Sequence, residues 1–136
     1  MSIEYRHDLP NQDAYFRLFE SSGWNSEYHF TAEQLQQAIQ HSWHLVAAYD
    51  QDKLVGFGRL ISDGVHHALL VDLIVLPDHQ GRGIGGTILT QLVDKCRAHG
   101  VRDVQLFCAR GKAGFYEKHG FVARPADAPG MQLKHT

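Results

Sequence analysis

Four glycines fall within six residues, Gly81, Gly83, Gly85 and Gly86, between a long apolar segment and an amphipathic one. Residues 65–76 precede them and are almost wholly apolar from Ala68 to Leu76, with Asp72 as the exception. Such a run reads as a central strand buried on both faces, stopped by Pro77. After the glycines, Ile84, Ile88, Leu89, Leu92, Val93 and Cys96 recur at helical spacing, and Gly100 supplies a left-handed cap beyond His99. Strand, glycine loop and helix together make an anion site. The first helical turn has unpaired N–H groups, the helix dipole adds partial positive charge, and glycine lets the backbone approach a ligand. Arg82 adds a full positive charge.

The remaining chain supplies the rest of a layered domain. Residues 2–6 alternate as a first strand, and residues 11–22 form a helix that Gly23 ends. Thr31 and Gln34 have capping-box spacing and open a helix carrying Leu35, Ala38 and Ile39. Between the two helices, residues 21–28 form a connection bearing Trp24 and Tyr28. Strands at 43–49, 54–61 and 65–76 are joined by the short turns 50–53 and 62–64, which implies an antiparallel meander. A strand at 101–107 follows the amphipathic helix and therefore lies parallel to 65–76. A short helix spans 111–119, and final strands at 121–123 and 131–134 flank a proline-rich stretch.

Bulk properties narrow the function. At 136 residues, 43% hydrophobic and 21% charged, the chain reads as one globular domain, 1–136. A net charge of −2 with no basic block argues against a nucleic-acid partner. No apolar run is long enough to span a bilayer and the first residues do not resemble a signal peptide, so a cytoplasmic protein is expected. Cys96 and Cys108 match neither a redox pair nor a zinc half-site and read as reduced thiols. The ten histidines are scattered; His41 and His44 share a helix face in this reading but lack a third ligand, so no metal is expected.

Two phosphate motifs fail in context. A Walker loop needs lysine where Gly86 precedes Thr87. A Rossmann fingerprint is present in Gly81, Gly83 and Gly86, but Asp103 opens the next strand instead of closing it, and only 50 residues remain after Gly86. Gln80, Gly83 and Gly85 instead resemble the Gln/Arg-x-x-Gly-x-Gly/Ala signature of the GCN5-related N-acetyltransferase superfamily. Residues 71–77 are similar to its fourth strand, and Phe115, Tyr116, Gly120 and Phe121 to its FYxxxGF segment.

This resemblance implies an α/β (α+β) fold of acyl-coenzyme A N-acyltransferase type. Its mixed, mostly antiparallel sheet has six to seven strands, a central parallel pair that splays apart, and about four helices. It implies acetyl transfer from acetyl-coenzyme A to a primary amine of a small molecule or peptide. Backbone groups of Leu73, Ile74 and Val75 would meet the pantetheine arm. Gly81, Arg82, Gly83, Ile84, Gly85 and Gly86 would hold the pyrophosphate, flanked by Gln80 and Thr87. Phe115 would pack near the cofactor, Tyr116 would be the general acid, and the Val75 amide would face the oxyanion. The family often has an asparagine after its fifth strand, where Cys108, Ala109 and Arg110 stand instead. Trp24 and Tyr28 are candidates for the acceptor wall. The base stays open: Asp72 lies opposite in face to Leu73 and Val75, His66 and His67 point to opposite faces, and a water chain is the third route. A homodimer is a family-level expectation. The competing readings are a non-catalytic acyl-coenzyme A-binding module and a Rossmann-type nucleotide-binding domain.

Overall fold

The turn expected at 50–53 closes tightly about Gln51 and Asp52. In the computed structural model, which describes residues 2–134, both adopt positive φ, 48° and 67°. Such a two-residue turn matches the twist of antiparallel strands and fixes the register of β2 (His44–Asp50) against β3 (Lys53–Ser62). Around this hairpin, β1 (Ile3–Arg6) pairs antiparallel with β2, and β4 (His67–Val75) pairs antiparallel with β3. The fifth strand, β5 (Asp103–Leu106), lies parallel to β4, giving the order β1-β2-β3-β4-β5. Three antiparallel pairings of four are incompatible with a doubly wound dinucleotide fold.

Contacts group the chain into two units, Met1–Leu106 and Phe107–Thr136. In the first unit, helices cover both faces of the sheet. On one face, α1 (Gln12–Ser21) and α3 (Ala32–Gln40) bring Tyr15, Leu18, Phe19, Leu35 and Ile39 onto Leu45, Phe57 and Ile74. Asn11 caps α1 by accepting from the Ala14 amide. The capping box of α3 forms as expected: Thr31 Oγ1 accepts from the Gln34 amide at 3.1 Å, and Gln34 Oε1 from the Thr31 amide at 2.9 Å. The connection between these helices contains a further short helix, α2 (Asn25–Tyr28). On the other face lies α4 (Ile84–Ala98), which buries Ile84, Ile88, Leu89, Leu92 and Cys96. The helix sits so close to β3 that a Cβ on Gly58 would come within 2.8 Å of Ile88 Cγ2.

Several expectations are corrected. The strand buried on both faces is β3, every residue of which from Leu54 to Leu60 is buried; β4 buries Ala68, Leu70 and Ile74 and leaves the residues between half-buried. The reason is neighbourhood. β3 has a strand on each side along its length, whereas β5 accompanies only the first part of β4. The ladder is also irregular: Phe57 opposes Ile74 but Arg59 opposes Val71, so β4 carries one extra residue there. Asp72 occupies this bulge at φ 58°, and its Oδ2 accepts from Arg59 Nε at 2.7 Å. His41 ends α3 and His44 begins β2, so they share no helix face.

In the second unit, α5 (Ala113–Glu117) is followed by Gly120 at φ 91°. The expected strands at 121–123 and 131–134 do not form, leaving five strands and five α-helices among the described residues. These stretches are three and four residues long, and Val122, Met131 and Leu133 are exposed. So short a hairpin gains too little burial to hold itself together.

Candidate functional site

The end of β4 and the start of α4 are built as one device. β5 pairs with β4 only from His67 to Leu70, while β4 runs on to Val75. The side of residues 71–75 facing away from β3 is therefore not paired with β5. Backbone parity decides which groups point there. The Leu76 amide donates to the Val55 carbonyl at 2.9 Å, so Ile74, opposite Phe57, also directs its backbone groups toward β3. Those of Leu73 and Val75 point the other way. Among the three residues expected to present backbone to a ligand, Ile74 thus anchors the strand while its neighbours face outward.

The chain then turns through a 3₁₀ segment, Pro77–His79. His79 is buried, with Nδ1 2.9 Å from Asp78 Oδ1 and Nε2 3.1 Å from Asp50 Oδ2. It pins this turn to the β2–β3 hairpin. Its hydrogen bond also holds the Asp78 carboxyl below the ordinary carboxylate range. Among the ten scattered histidines nothing in the sequence singles out His79, because a ring flanked by Asp78 and matched by the distant carboxylate of Asp50 has no periodic signature. From the turn, Gln80 Nε2 donates to the Val75 carbonyl at 3.0 Å, tying the loop to the outward-facing side of β4.

Gly81 and Gly83 adopt φ 77° and 82°, and an added Cβ at either meets nothing within 4 Å. Conformation demands glycine there, and the space above is open to a ligand. Gly83 is the N-cap of α4 and offers no side chain, and no acidic residue occupies the first turn. Its carbonyl takes the Thr87 amide at 3.1 Å and the Thr87 hydroxyl at 3.0 Å. The amides of Ile84, Gly85 and Gly86 precede this first helical bond and sit at the positive end of a 15-residue helix. Arg82 is exposed beside them. The arrangement suits a di-anionic group held by backbone and one guanidinium.

Trp24 packs edge-on against Phe19 at 6.0 Å, and Tyr28 stacks on Phe30 at 5.4 Å; all three of Trp24, Tyr28 and Phe30 are exposed. Phe30 escaped notice in the sequence because it follows the short helix. Asn25 holds this connection in shape, its side chain bonding both the amide and the carbonyl of Phe30. In the second unit, Tyr116 lies between Phe115 and Phe121 with ring centroids 5.1 and 6.0 Å away. Burial, assisted by Cys108, pushes the Tyr116 hydroxyl above its ordinary pKa, so it keeps its proton at neutral pH. Asp72, a candidate base, is engaged by Arg59, which also reaches the Ala38 carbonyl at the end of α3. His66 and His67 do not point apart; their ring centroids are 3.7 Å from each other.

The sequence profile of the acetyltransferase (GNAT) family matches residues 10–121. An uncharacterized N-acetyltransferase, ycf52, of Gracilaria tenuistipitata var. liui is 30% identical over 129 residues, covering 92% of this chain and 66% of its own length. The chain therefore spans about two thirds of that relative. Among solved structures, the GNAT family acetyltransferase SP0256 of Streptococcus pneumoniae superimposes with a TM-score of 0.84 at 29% identity, covering 98% of each chain. The PaiA N-acetyltransferase of Thermoplasma acidophilum, solved in complex with coenzyme A, shares the fold with a TM-score of 0.73 at 23% identity. It covers 91% of this chain and 92% of its own. No helix among the described residues is long and apolar enough to cross a membrane.

Proposed function

Because the chain belongs to the acetyltransferase (GNAT) family, we propose that it transfers an acetyl group from acetyl-coenzyme A to a primary amine by direct attack. One observation carries the reading: β4 outruns β5 beyond Leu70, and its outward-facing backbone leads, through the Pro77–His79 turn and the glycine loop, into a helix N-terminus without a side-chain cap. The open space over Gly81 and Gly83 fits the close approach of a pyrophosphate. When bound, acetyl-coenzyme A supplies an acyl carbon activated as a thioester.

The protein's own groups divide the remaining work. The amides of Gly81 to Gly86 and the Arg82 charge hold the pyrophosphate, while Gln80 and Thr87 brace the loop through their bonds to Val75 and Gly83. Leu73 and Val75 offer backbone groups to the pantetheine arm as a neighbouring strand would, with Ile74 fixed to β3. The Val75 amide donates to the acyl oxygen as negative charge gathers there. Tyr116 gives its hydroxyl proton to the departing sulfur, with Phe115 packing beside it, and the proton released by the attacking amine passes through water to restore the tyrosine hydroxyl. Trp24, Tyr28 and Phe30 furnish the apolar wall of the acceptor site, which favours an amine with an apolar or aromatic body.

The test is release of free coenzyme A from acetyl-coenzyme A by the purified chain, across a panel of polyamines, amino acids, arylalkylamines and lysine peptides. Amine-dependent release with an acetylated product is expected. Saturable coenzyme A binding with no release on any amine would favour a non-catalytic binding module.

A further inference from the structure

At the opposite end of the β4–β5 pair, three side chains with metal-ligating atoms converge. One ligand atom each from His66, His67 and Asp103 lies within 4.8 Å of the other two. His67 Nδ1 is 2.7 Å from Asp103 Oδ2, and the His66 and His67 rings lie 3.7 Å apart. Adjacent residues of a strand point to opposite faces, so this convergence needs a cause. The cause is Asp63, whose Oδ1 accepts from the amides of Val65, His66 and His67 at 2.8, 2.7 and 3.2 Å. Those three bonds curl the chain just before β4 begins and bring the two imidazoles to one side. The parallel register then sets Asp103 directly beside His67, and the Asp103 amide donates to the His66 carbonyl at 3.2 Å.

We propose that His66, His67 and Asp103 form a binding site for a zinc-class divalent cation that clasps the β3–β4 turn to the start of β5. Two imidazole nitrogens and one carboxylate oxygen suit zinc and its late first-row neighbours, not magnesium, which favours oxygen ligands. Both histidines are exposed, which leaves room for small rotations onto a shared ion and for water in the remaining positions. The carboxylate already has an orienting partner: Gln105 Nε2 donates to Asp103 Oδ1 at 2.9 Å, and Oδ2, paired with His67 Nδ1 at 2.7 Å, is the oxygen that would turn to the ion as that pair opens around it. Outer partners of this kind orient metal ligands and tune affinity. The site has no part in the proposed acetyl transfer. Its role is to fasten the start of the pairing between β4 and β5.

Calorimetric titration of the untagged, chelator-treated full chain with zinc chloride, and separately with magnesium chloride, tests this site. One equivalent of zinc binding saturably, with no magnesium binding, is expected. His66→Ala and Asp103→Asn should each weaken zinc binding by about tenfold or more, and Gln105→Ala should weaken it less. The His66 and Asp103 variants should retain the wild-type circular dichroism spectrum, because His66 is exposed and Asp103 only half-buried. For a variant that does not, the gain in melting temperature on adding zinc is compared instead; it should be lost with the ligand. Absence of saturable zinc binding to the wild type, or unchanged binding in either ligand variant, overturns the three-residue site.

Discussion

The side-chain amide of Gln80 donates to the carbonyl of Val75 at 3.0 Å, joining the glycine loop to the outward-facing side of the strand it follows. Through this bond the loop and the strand edge present themselves as one surface. Gln80→Ala removes one hydrogen bond, worth about 1 kcal/mol. The KM for acetyl-coenzyme A should rise about fivefold, with a smaller change in kcat. Steady-state kinetics checks this, and an unchanged KM would remove Gln80 from cofactor binding.

Gly83→Ala places a methyl group where φ is 82° and the space above is open. The left-handed conformation disfavours alanine by about 1–2 kcal/mol. Gly23, at φ 81° with equally open surroundings, supplies the control. Both variants should lose similar stability in urea, but only Gly83→Ala should also lose coenzyme A affinity. Equal cofactor affinity in the two variants would mean that nothing approaches the loop at Gly83.

Gly58→Ala drives a Cβ to 2.8 Å from Ile88 Cγ2 between β3 and α4. Neither element can yield easily, since Ile88 and its neighbours Leu89 and Leu92 are fully buried. Destabilisation of about 1–3 kcal/mol is expected, read as a lower urea midpoint at constant m.

The Arg59–Asp72 pair holds the bulge of β4 and reaches α3. Arg59 is mostly buried, its side chain 10% exposed, so removing its partner leaves a charge without its acceptor. Asp72→Ala should cost about 3 kcal/mol, measured by chemical denaturation. Loss below about 0.5 kcal/mol, as at an ordinary surface position, would show the pair to be dispensable.

His44 carries a pH dependence of defined sign. Burial first, then the charges of Lys95, His7 and His99, push it from 6.5 down to about 4. Between those values the unfolded chain binds the proton and the folded chain does not, so stability rises as pH goes from about 4 to 6.5 and is flat with respect to this group above. His44→Asn should flatten that slope. A slope identical to wild type would place the titration elsewhere.

The legible parts of this chain were those written in local chemistry. The Thr31 capping box, the hairpin at Gln51 and Asp52, the stripe from Ile84 to Cys96 and the glycines at positive φ all follow from residues within a few positions of one another. What escaped depends on distant partners or on departures from alternation. Asp72 looked like a lone carboxylate because nothing near it announces Arg59 across the ladder. His66 and His67 appeared opposed because alternation holds only inside a strand, and Asp63 folds the chain before the strand starts. β3, with its two glycines, looked less central than β4; those glycines are what allow α4 to lie against it. At the candidate site, loop and strand edge were readable, whereas His79 and Phe30 were not, since their roles arise from Asp50 and Tyr28 through the fold.

The central claim is that the edge of β4 and the loop from Gln80 to Gly86 receive coenzyme A. Titrating coenzyme A into the isotopically labelled chain, and following backbone amide resonances, tests it most directly. The largest shifts should fall on Leu73, Val75 and the amides from Gly81 to Gly86. Saturable binding that leaves these amides unmoved, or shifts produced by NAD(P) and not by coenzyme A, would contradict it.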